Sequence, residues 1–516
     1  MGSGFHAAVR TTQRGLQQLL APADSGSATS SAESSGTTCQ QGDISRAAKC
    51  MRQEPMLEKL PEDVLYHLHS LLLVQDAARA ACVSHSFLRS WRCYPNLTLN
   101  ECTLGLVGKE IKGREIQLID IVDHILKNHS GLKTLKLNLL SCKNISDSYL
   151  DRWLHIAFHS GVKELSLVPS LYREGRYRFP CSLLSGEAAA SSIQSFYLYG
   201  CACHHTETIG HLRRLKILHL TRVHITDEGL EHFLSKSVAL EQLEIFQCRN
   251  IICLTIPCAL KQLKILKVGW CLVLQAVEIN APKLSTFYYS GTTLLGISVG
   301  NSSRLKDVHL LYPSCILYYA RTRLPSIARN VKSLNLISFG ENVNTPMLPS
   351  KLPRLKKLEI NLLGLKPAFS PQYDALSLVS FLEASPALDS FILCISQDAM
   401  SHDSVADDYV YLRRKPEFRH EHLRRVMITG FRASKSLVEL VIYILESVPS
   451  LVRLTLDTTD GFVGTPKRNV AEALVAVEVA GRCIAGRVPA GVLFEVLGPC
   501  NSAVADASRR ELQKLF

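Results

Sequence analysis

The sequence has no long apolar run. Its longest apolar patches, such as LVELVIYILESV at Leu437–Val448, are interrupted by charge and fall well short of the about twenty residues a membrane helix needs. A helical span is thereby excluded, and the chain is expected to be soluble, with no membrane partner. The amino terminus, MGSGFHAAVRTTQRGLQQLLAPADS, lacks the apolar stretch of a secretory signal, and His6 stands where a myristoylation motif has Ser or Thr. It also lacks acids before Asp24 and carries Arg10 and Arg14, a faint likeness to an organelle transit peptide; the expectation is a disordered extension. No P-loop, G-x-S-x-G, H-E-x-x-H or G-x-G-x-x-G occurs, so the common signatures of nucleotide, hydrolase and metalloprotease chemistry are missing.

Cysteine is plentiful but not arranged in pairs. Seventeen residues are scattered singly, and without a secretory signal they read as reduced thiols. In that setting the glycosylation-like triplets at Asn96, Asn144 and Asn301 carry no meaning. The densest set of metal-ligating types is CACHH, Cys201–His205. Its first cysteine belongs to the repeat described next, and no second Cys/His pair follows at finger-like spacing, so no metal or other cofactor is expected. Net charge is +12, but the basic residues come as scattered pairs (Arg213 with Arg214, Lys356 with Lys357, Arg424 with Arg425). They form no stripe interleaved with aromatics, and nucleic acid is not an expected partner.

What the sequence does have is a repeat. Residues 22–43, PADSGSATSSAESSGTTCQQGD, hold no large apolar side chain and read as a linker. From Leu132 onward a frame L-x-x-L-x-L-x-x-C recurs, clearest in IQSFYLYGC (Ile193–Cys201), LEQLEIFQC (Leu240–Cys248) and LKILKVGWC (Leu263–Cys271). Weaker copies begin at Leu132, Val162, Leu215, Leu284, Leu305, Val331, Leu355 and Leu388. The steps from Leu240 to Leu355 are 23, 21, 21, 26 and 24 residues, the period of leucine-rich repeats. Each unit supplies one short strand with inward leucines and a Cys or Asn that hydrogen-bonds the backbone at the bend. No unit buries its own apolar face, so the units stack as a solenoid. IICLTI (from Ile251), LQAVEI (from Leu274) and LLGISV (from Leu294) run half a period out of phase and predict return strands on the convex side. ITDEGLEHFLSKS (Ile225–Ser237), with Asp227 and Glu228 in its first turn and Leu230, Phe233 and Leu234 on one face, predicts an outer helix.

Upstream, LPEDVLYHLHSLLLVQDAARAACVSHSFLRSWRC (Leu60–Cys93) packs three helical patterns into a unit too small to bury its apolar surface. Pro61 stands at a helix start, Glu62 and Asp63 follow in the first turn, and Val64, Leu65, Leu68, Leu71 and Leu72 make an apolar stripe. Asp76 is placed to cap a second helix through Ala77, Ala78, Ala80 and Ala81. Val83, Phe87 and Trp91 mark the face of a third, while His67 and His69 on the first helix are expected to be solvated. With Leu60, Pro61, Asp63, Asp76, Arg79, Ser84 and Trp91 in its characteristic places, this stretch resembles the F-box. Two positions depart from the pattern: Leu73 replaces the usual Pro between the first two helices, and Phe87 stands where Trp is commoner. HEHLRRVMITGFRASKSLVELVIYILESVPSLVRLTL (His420–Leu456) resembles the FBD module of plant F-box proteins, with Leu423, Val426, Ile428, Gly430 and Phe431 in the strand and turn. Residues 471–500 read as a helix followed by a strand that completes the last domain.

The resemblance implies an α/β protein with a three-helix F-box, a curved leucine-rich-repeat solenoid with parallel strands on its concave face, and an FBD-like segment. The expected divisions are 1–52 (extension), 53–100 (F-box), 101–131 (connection), 132–412 (repeats) and 413–516 (FBD-like region). It further implies a non-catalytic substrate-recognition subunit of a cullin-RING ubiquitin ligase in nucleus or cytoplasm. The F-box would dock on a Skp-type adaptor, and through it on cullin and RING subunits, by Leu60, Pro61, Val64, Leu65, Leu68, Leu72 and Val74. The alternative is a repeat scaffold that sequesters a protein partner without a ligase. In either case strand alternation places Tyr197, His219, Glu244, Lys267, Tyr288, His309, Asn335 and Glu359 on the concave face as the candidate surface for an unidentified protein substrate. Tyr199, Phe246, Trp270 and Tyr312 stand beside them.

Overall fold

Alternation of buried and open side chains along each copy of the frame makes it a strand, and the strands stack in parallel. In the computed structural model of the chain, residues 60–499 are described except 83–84, 108–110, 141, 144, 171–176, 293–295, 301–303, 328, 342, 365–372, 398–411, 414–417 and 460–469. The predicted extension and linker, Val83, Ser84 and Leu294 therefore lie outside the described residues. The chain divides into two units, Met1–Leu60 and Pro61–Phe516, and the architecture below is that of the second.

The strands in chain order are β1 Asn96–Leu99, β2 Thr134–Asn138, β3 Glu164–Val168, β4 Ser195–Tyr199, β5 Ile217–Thr221 and β6 Gln242–Phe246. There follow β7 Cys253–Ile256, β8 Ile265–Gly269, β9 Ala276–Ile279, β10 Thr286–Ser290, β11 Gly296–Val299 and β12 Asp307–Tyr312. The last are β13 Ser333–Ser338, β14 Lys357–Gly364, β15 Ser390–Gln397, β16 Arg425–Thr429, β17 Arg453–Asp457 and β18 Leu493–Leu497. Fifteen of them form one sheet in the order β1-β2-β3-β4-β5-β6-β8-β10-β12-β13-β14-β15-β16-β17-β18. The other three, β7, β9 and β11, are the half-period series and form a separate parallel sheet, as the phase of that series predicts. Elsewhere the return path is helical: Asp147–His159, Glu187–Ser192, Asp227–Ser235, Ile316–Ile327, Val379–Ala384, Lys435–Ser447 and Val470–Val479. Thr226 caps Asp227–Ser235 by accepting from Gly229 N, so the predicted outer helix starts with its polar turn and buries Leu230, Phe233 and Leu234.

The core is the space between the sheet and this outer layer. Leu135, Leu165, Phe196, Leu218, Leu243, Leu266, Leu334, Leu358, Phe391 and Leu454 sit at equivalent places in it, each with at most 1% exposure. At the bends, the Cys201 thiol hydrogen-bonds the Tyr199 carbonyl, Cys248 those of Phe246 and Leu220, and Cys271 that of Gly269. These are the turn bonds expected of the frame's cysteines. The residue before each of these bends takes a left-handed conformation: Gly200, Gln247 and Trp270 have φ of 64°, 55° and 54°. Gly430, at φ 73°, must be glycine for a second reason, since a Cβ there would lie 1.8 Å from the Ile395 carbonyl oxygen.

The sheet passes through residue 412 without a break in strand order, because the frame continues as LRRVMI (from Leu423) and LVRLTL (from Leu451). At the other end the three predicted helices are Glu62–Leu71, Val74–Ala81 and His85–Cys93. The second starts one turn earlier than expected, so Asp76 is no cap; it lies in the first helical turn and pairs with Arg79 at 3.4 Å.

The frame makes a sharp stability prediction. Leu243→Ala or Leu266→Ala leaves a cavity in a filled core and should cost about 2 to 5 kcal/mol. Glu244→Ala and Lys267→Ala, on the open side of the same strands, should cost about 1 kcal/mol or less. Equilibrium denaturation of the four variants checks this, and equal losses in the two pairs would mean that the register is wrong.

Candidate functional site

Strand pairing joins the predicted concave positions into a single row. Tyr197 pairs with His219, His219 with Glu244, Glu244 with Lys267, Lys267 with Tyr288, Tyr288 with His309, His309 with Asn335, and Asn335 with Glu359. All eight are partly exposed. Neighbours in the row engage one another. The rings of Tyr197 and His219 lie 4.3 Å apart, and those of Tyr288 and His309 stack at 4.1 Å with a 13° tilt. Between these aromatic pairs Glu244 joins His219 at 3.3 Å and Lys267 at 2.7 Å, and the Lys267 ammonium lies 5.5 Å from the Tyr288 ring centre. Asn361 donates to both Asn335 and Glu359 at 3.2 Å.

Burial holds the imidazole of His219 below its ordinary pKa, with Glu244 opposing. Burial likewise lowers His309, against the pull of Asp307 and Glu359. Both rings are therefore neutral at pH 7 and serve as faces and hydrogen-bonding groups. Burial, aided by Glu164 and Glu244, raises the Tyr197 phenol, so it remains a donor. A half-open row of rings and internally balanced charge can grip another polypeptide. The row continues through the half-buried Ile392 and then closes, for Met427 and Thr455 beyond it are buried.

Several expectations need correction. Trp270 is 6% exposed and offers no concave surface, because it lies just past β8 at the left-handed bend, where the equivalent Gln247 is buried as well. Leu65 is 4% exposed and belongs to the core of the three-helix unit, not to its surface. His69 is buried, not solvated; its ring lies 4.4 Å from that of Phe87, 5.8 Å from Trp91 and 5.5 Å from Tyr94.

The other predicted docking residues remain open to differing degrees. Pro61 is exposed, Val64 and Leu72 are 38% and 39% exposed, and Leu60, Leu68 and Val74 are half-buried. The largest open apolar side chains of the unit were not among the predicted docking residues: Leu71 at 69% and Leu73 at 49%. The uninterrupted LLLV run at Leu71–Val74 was the available signal. Phe87 lies in the aromatic core, so its departure from the F-box pattern affects packing. In CACHH the thiols of Cys201 and Cys203 face inward while His204 and His205 face solvent. Among the described residues no group of His, Cys, Asp and Glu is placed to hold a metal ion, and no helix is long and apolar enough to cross a membrane.

His69 makes the three-helix unit acid-sensitive. Neither of its ring nitrogens has a hydrogen-bond partner among the described residues, and burial lowers its pKa below 6.5. As pH falls through that value the unfolded chain takes the proton first, so stability present above it is lost on acidification. Hydrogen-exchange protection of residues 62–93 should fall between pH 7 and 5, and His69→Leu should reduce that slope. An unchanged slope would remove His69 as its source.

Known proteins have similar sequences. A family model described as "At1g61320/AtMIF1, LRR domain" matches residues 125–501. The FBD-associated F-box protein At1g61320 of Arabidopsis thaliana is 22% identical over 77% of this chain and 88% of its own length. The putative FBD-associated F-box protein At5g53635 of the same plant is 24% identical over 78% and 95%, and the putative F-box/FBD/LRR-repeat protein At5g56810 is 23% identical over 78% and 89%. The family match begins inside the helix Ile111–Asn128 and runs through every strand from β2 to β18, so this chain belongs to the plant F-box, leucine-rich-repeat and FBD family.

Proposed function

We propose that the chain is the substrate-recognition subunit of a cullin-RING ubiquitin ligase: its three N-terminal helices dock on a Skp-type adaptor, and its concave row holds the protein to be ubiquitinated. The observation that carries the reading is the exposed apolar cluster of Val64, Leu71, Leu72 and Leu73 on so small a helical unit. Solvent-facing leucines in a three-helix unit gain nothing for its own core, and an apolar partner surface accounts for them. The names of the relatives, all F-box proteins, point the same way.

No step of covalent chemistry is assigned to this chain. Its contribution is proximity, holding substrate beside a charged conjugating enzyme and raising effective concentration. The setting is nucleus or cytoplasm. A scaffold that binds its partner without recruiting a ligase is the competing reading, motivated by Leu73 at the position where the F-box pattern has Pro.

Replacing Leu72 and Leu73 together by Ser removes exposed apolar surface from the turn between the first two helices. It should leave thermal stability nearly unchanged and weaken adaptor binding by about 2 kcal/mol or more, roughly thirtyfold. Calorimetric titration of the purified chain with a Skp-type adaptor reads this out. No binding by the unaltered chain at micromolar adaptor would leave the scaffold, and equal affinity in the variant would move the docking surface elsewhere.

A further inference from the structure

Basic residues that are scattered in the sequence come together in the fold. The position just before the strand is basic in eight of the thirteen strands from β2 to β17 on the concave sheet: Lys133, Lys163, Lys216, Lys264, Lys306, Lys332, Lys356 and Arg424. Each is exposed. Residues about 24 apart in the chain become neighbours across parallel strands about 4.8 Å apart, so the sheet gathers them into a stripe, one that has no aromatic residue among its members.

The stripe is densest at the starts of β12, β13 and β14. There Lys306, Lys332 and Lys356 are linked in sequence by backbone bonds, Lys332 N to Lys306 O at 2.7 Å and Lys356 N to Lys332 O at 2.8 Å. Arg304, Arg329 and Arg354 stand two or three residues before them, also exposed. None of the six has an ion-pair partner among the described residues, whereas Lys216 and Lys264 farther along share Glu241 at 3.4 and 2.5 Å. Of the nearby acids, Asp307 lies in the concave register with Ser333 and Lys357, and Glu359 is engaged by Lys357 at 3.5 Å. Lys306, Lys332 and Lys356 start adjacent strands about 4.8 Å apart, well inside a Debye length of about 10 Å at 0.1 M salt, so a bound anion would relieve their mutual repulsion.

We propose that this edge, formed by Arg304, Lys306, Arg329, Lys332, Arg354 and Lys356, binds a short acidic segment of the protein whose body lies on the concave row. The inference rests on the protein-binding half of the function proposed above and not on ligase recruitment. The patch is bounded by Ser285 before β10 on one side and by Asp389 before β15, paired with Arg425 at 2.5 Å, on the other. Its length is thus two strand spacings, about 10 Å, which matches three or four residues of extended acidic chain. A nucleic-acid duplex engages several phosphates over a longer track, and a single strand needs ring faces to stack on; none of the six residues supplies one.

The test uses the purified full chain and a fluorescein-labelled peptide of eight alternating Glu and Asp residues, followed by anisotropy at 50 and 200 mM salt. Lys306→Glu/Lys332→Glu/Lys356→Glu should weaken binding at least tenfold. Lys143→Glu/Lys236→Glu/Arg249→Glu, which makes the same change in net charge elsewhere, should weaken it less than threefold. Higher salt should weaken binding by the unaltered chain and change the edge variant little. Equal losses in the two variants would reduce the effect to net charge and overturn the proposal. So would tighter binding of duplex DNA or of phosphatidylserine vesicles than of the peptide. Adaptor titration of the edge variant should give the unaltered affinity, so a failure of the ligase reading and a failure of this one appear in different measurements.

Discussion

From Lys133 to Arg424, the residue just before each concave strand turns its carbonyl to the next repeat and accepts two N–H groups there. Lys163 N and Glu164 N meet the Lys133 oxygen at 2.7 and 3.0 Å, Lys264 N and Ile265 N meet that of Glu241, and Arg424 N and Arg425 N meet that of Asp389. This doubled bond fixes where every strand begins relative to its predecessor. A slip of one residue would exchange the buried and open faces of that strand. The leucine core, the concave row and the basic edge all follow from one register.

With the strand starts fixed, variation in repeat length has to be taken up on the outer side. The steps of 21 to 26 residues between Leu240 and Leu355 leave room for a helix such as Ile316–Ile327 in the longest and only a short return strand, β9 or β11, in the shortest. The helix Ile316–Ile327 shows how demanding that outer layer is. Arg321 within it is 1% exposed and forms no ion pair among the described residues; its guanidinium instead donates to Ser380 at 2.8 Å, Ser350 at 3.0 Å and the Leu348 carbonyl. Neutral acceptors drawn from later segments thereby lock the convex side to the same register that the carbonyl row imposes on the concave side.

The features legible in the sequence were those set by alternation within one repeat. The inward leucines, the cysteine bends, the return strands and the alignment of Tyr197 through Glu359 could all be read from the frame. Departures arose where a side chain depends on a partner from another element. Leu65 and His69 look like members of an open helical stripe until Phe87 and Trp91 of the third helix pack against that face. Trp270 was placed by proximity to the row, whereas it is itself the left-handed residue at the bend after β8, where alternation along the strand has ended. The basic edge lay in the same frame, as the Lys or Arg that follows the first apolar position in LKILKV, LKDVHL, VKSLNL and LKKLEI; reading charge as adjacent pairs, and not by position within the repeat, hid it.

The same sheet also sets how the two proposed binding surfaces stand to one another. Only Tyr94 and Pro95 separate the third helix, His85–Cys93, from β1, and β1 is already the first strand of the concave sheet. The join is braced from several directions: Tyr94 N bonds Trp91 O, Ser130 N bonds Arg92 O, and Gln75 N bonds the Thr103 carbonyl, all at 2.9 to 3.2 Å. Leu97 and Leu99 of β1 are at most 1% exposed. The three-helix unit is thus fused to the solenoid, with no linker whose length could be varied at little cost. In the proposed assembly a partner held on the concave row sits at a fixed distance from the adaptor. The effective concentration gained by binding then depends on which repeats the partner contacts, a constraint that a flexibly tethered receptor would not impose.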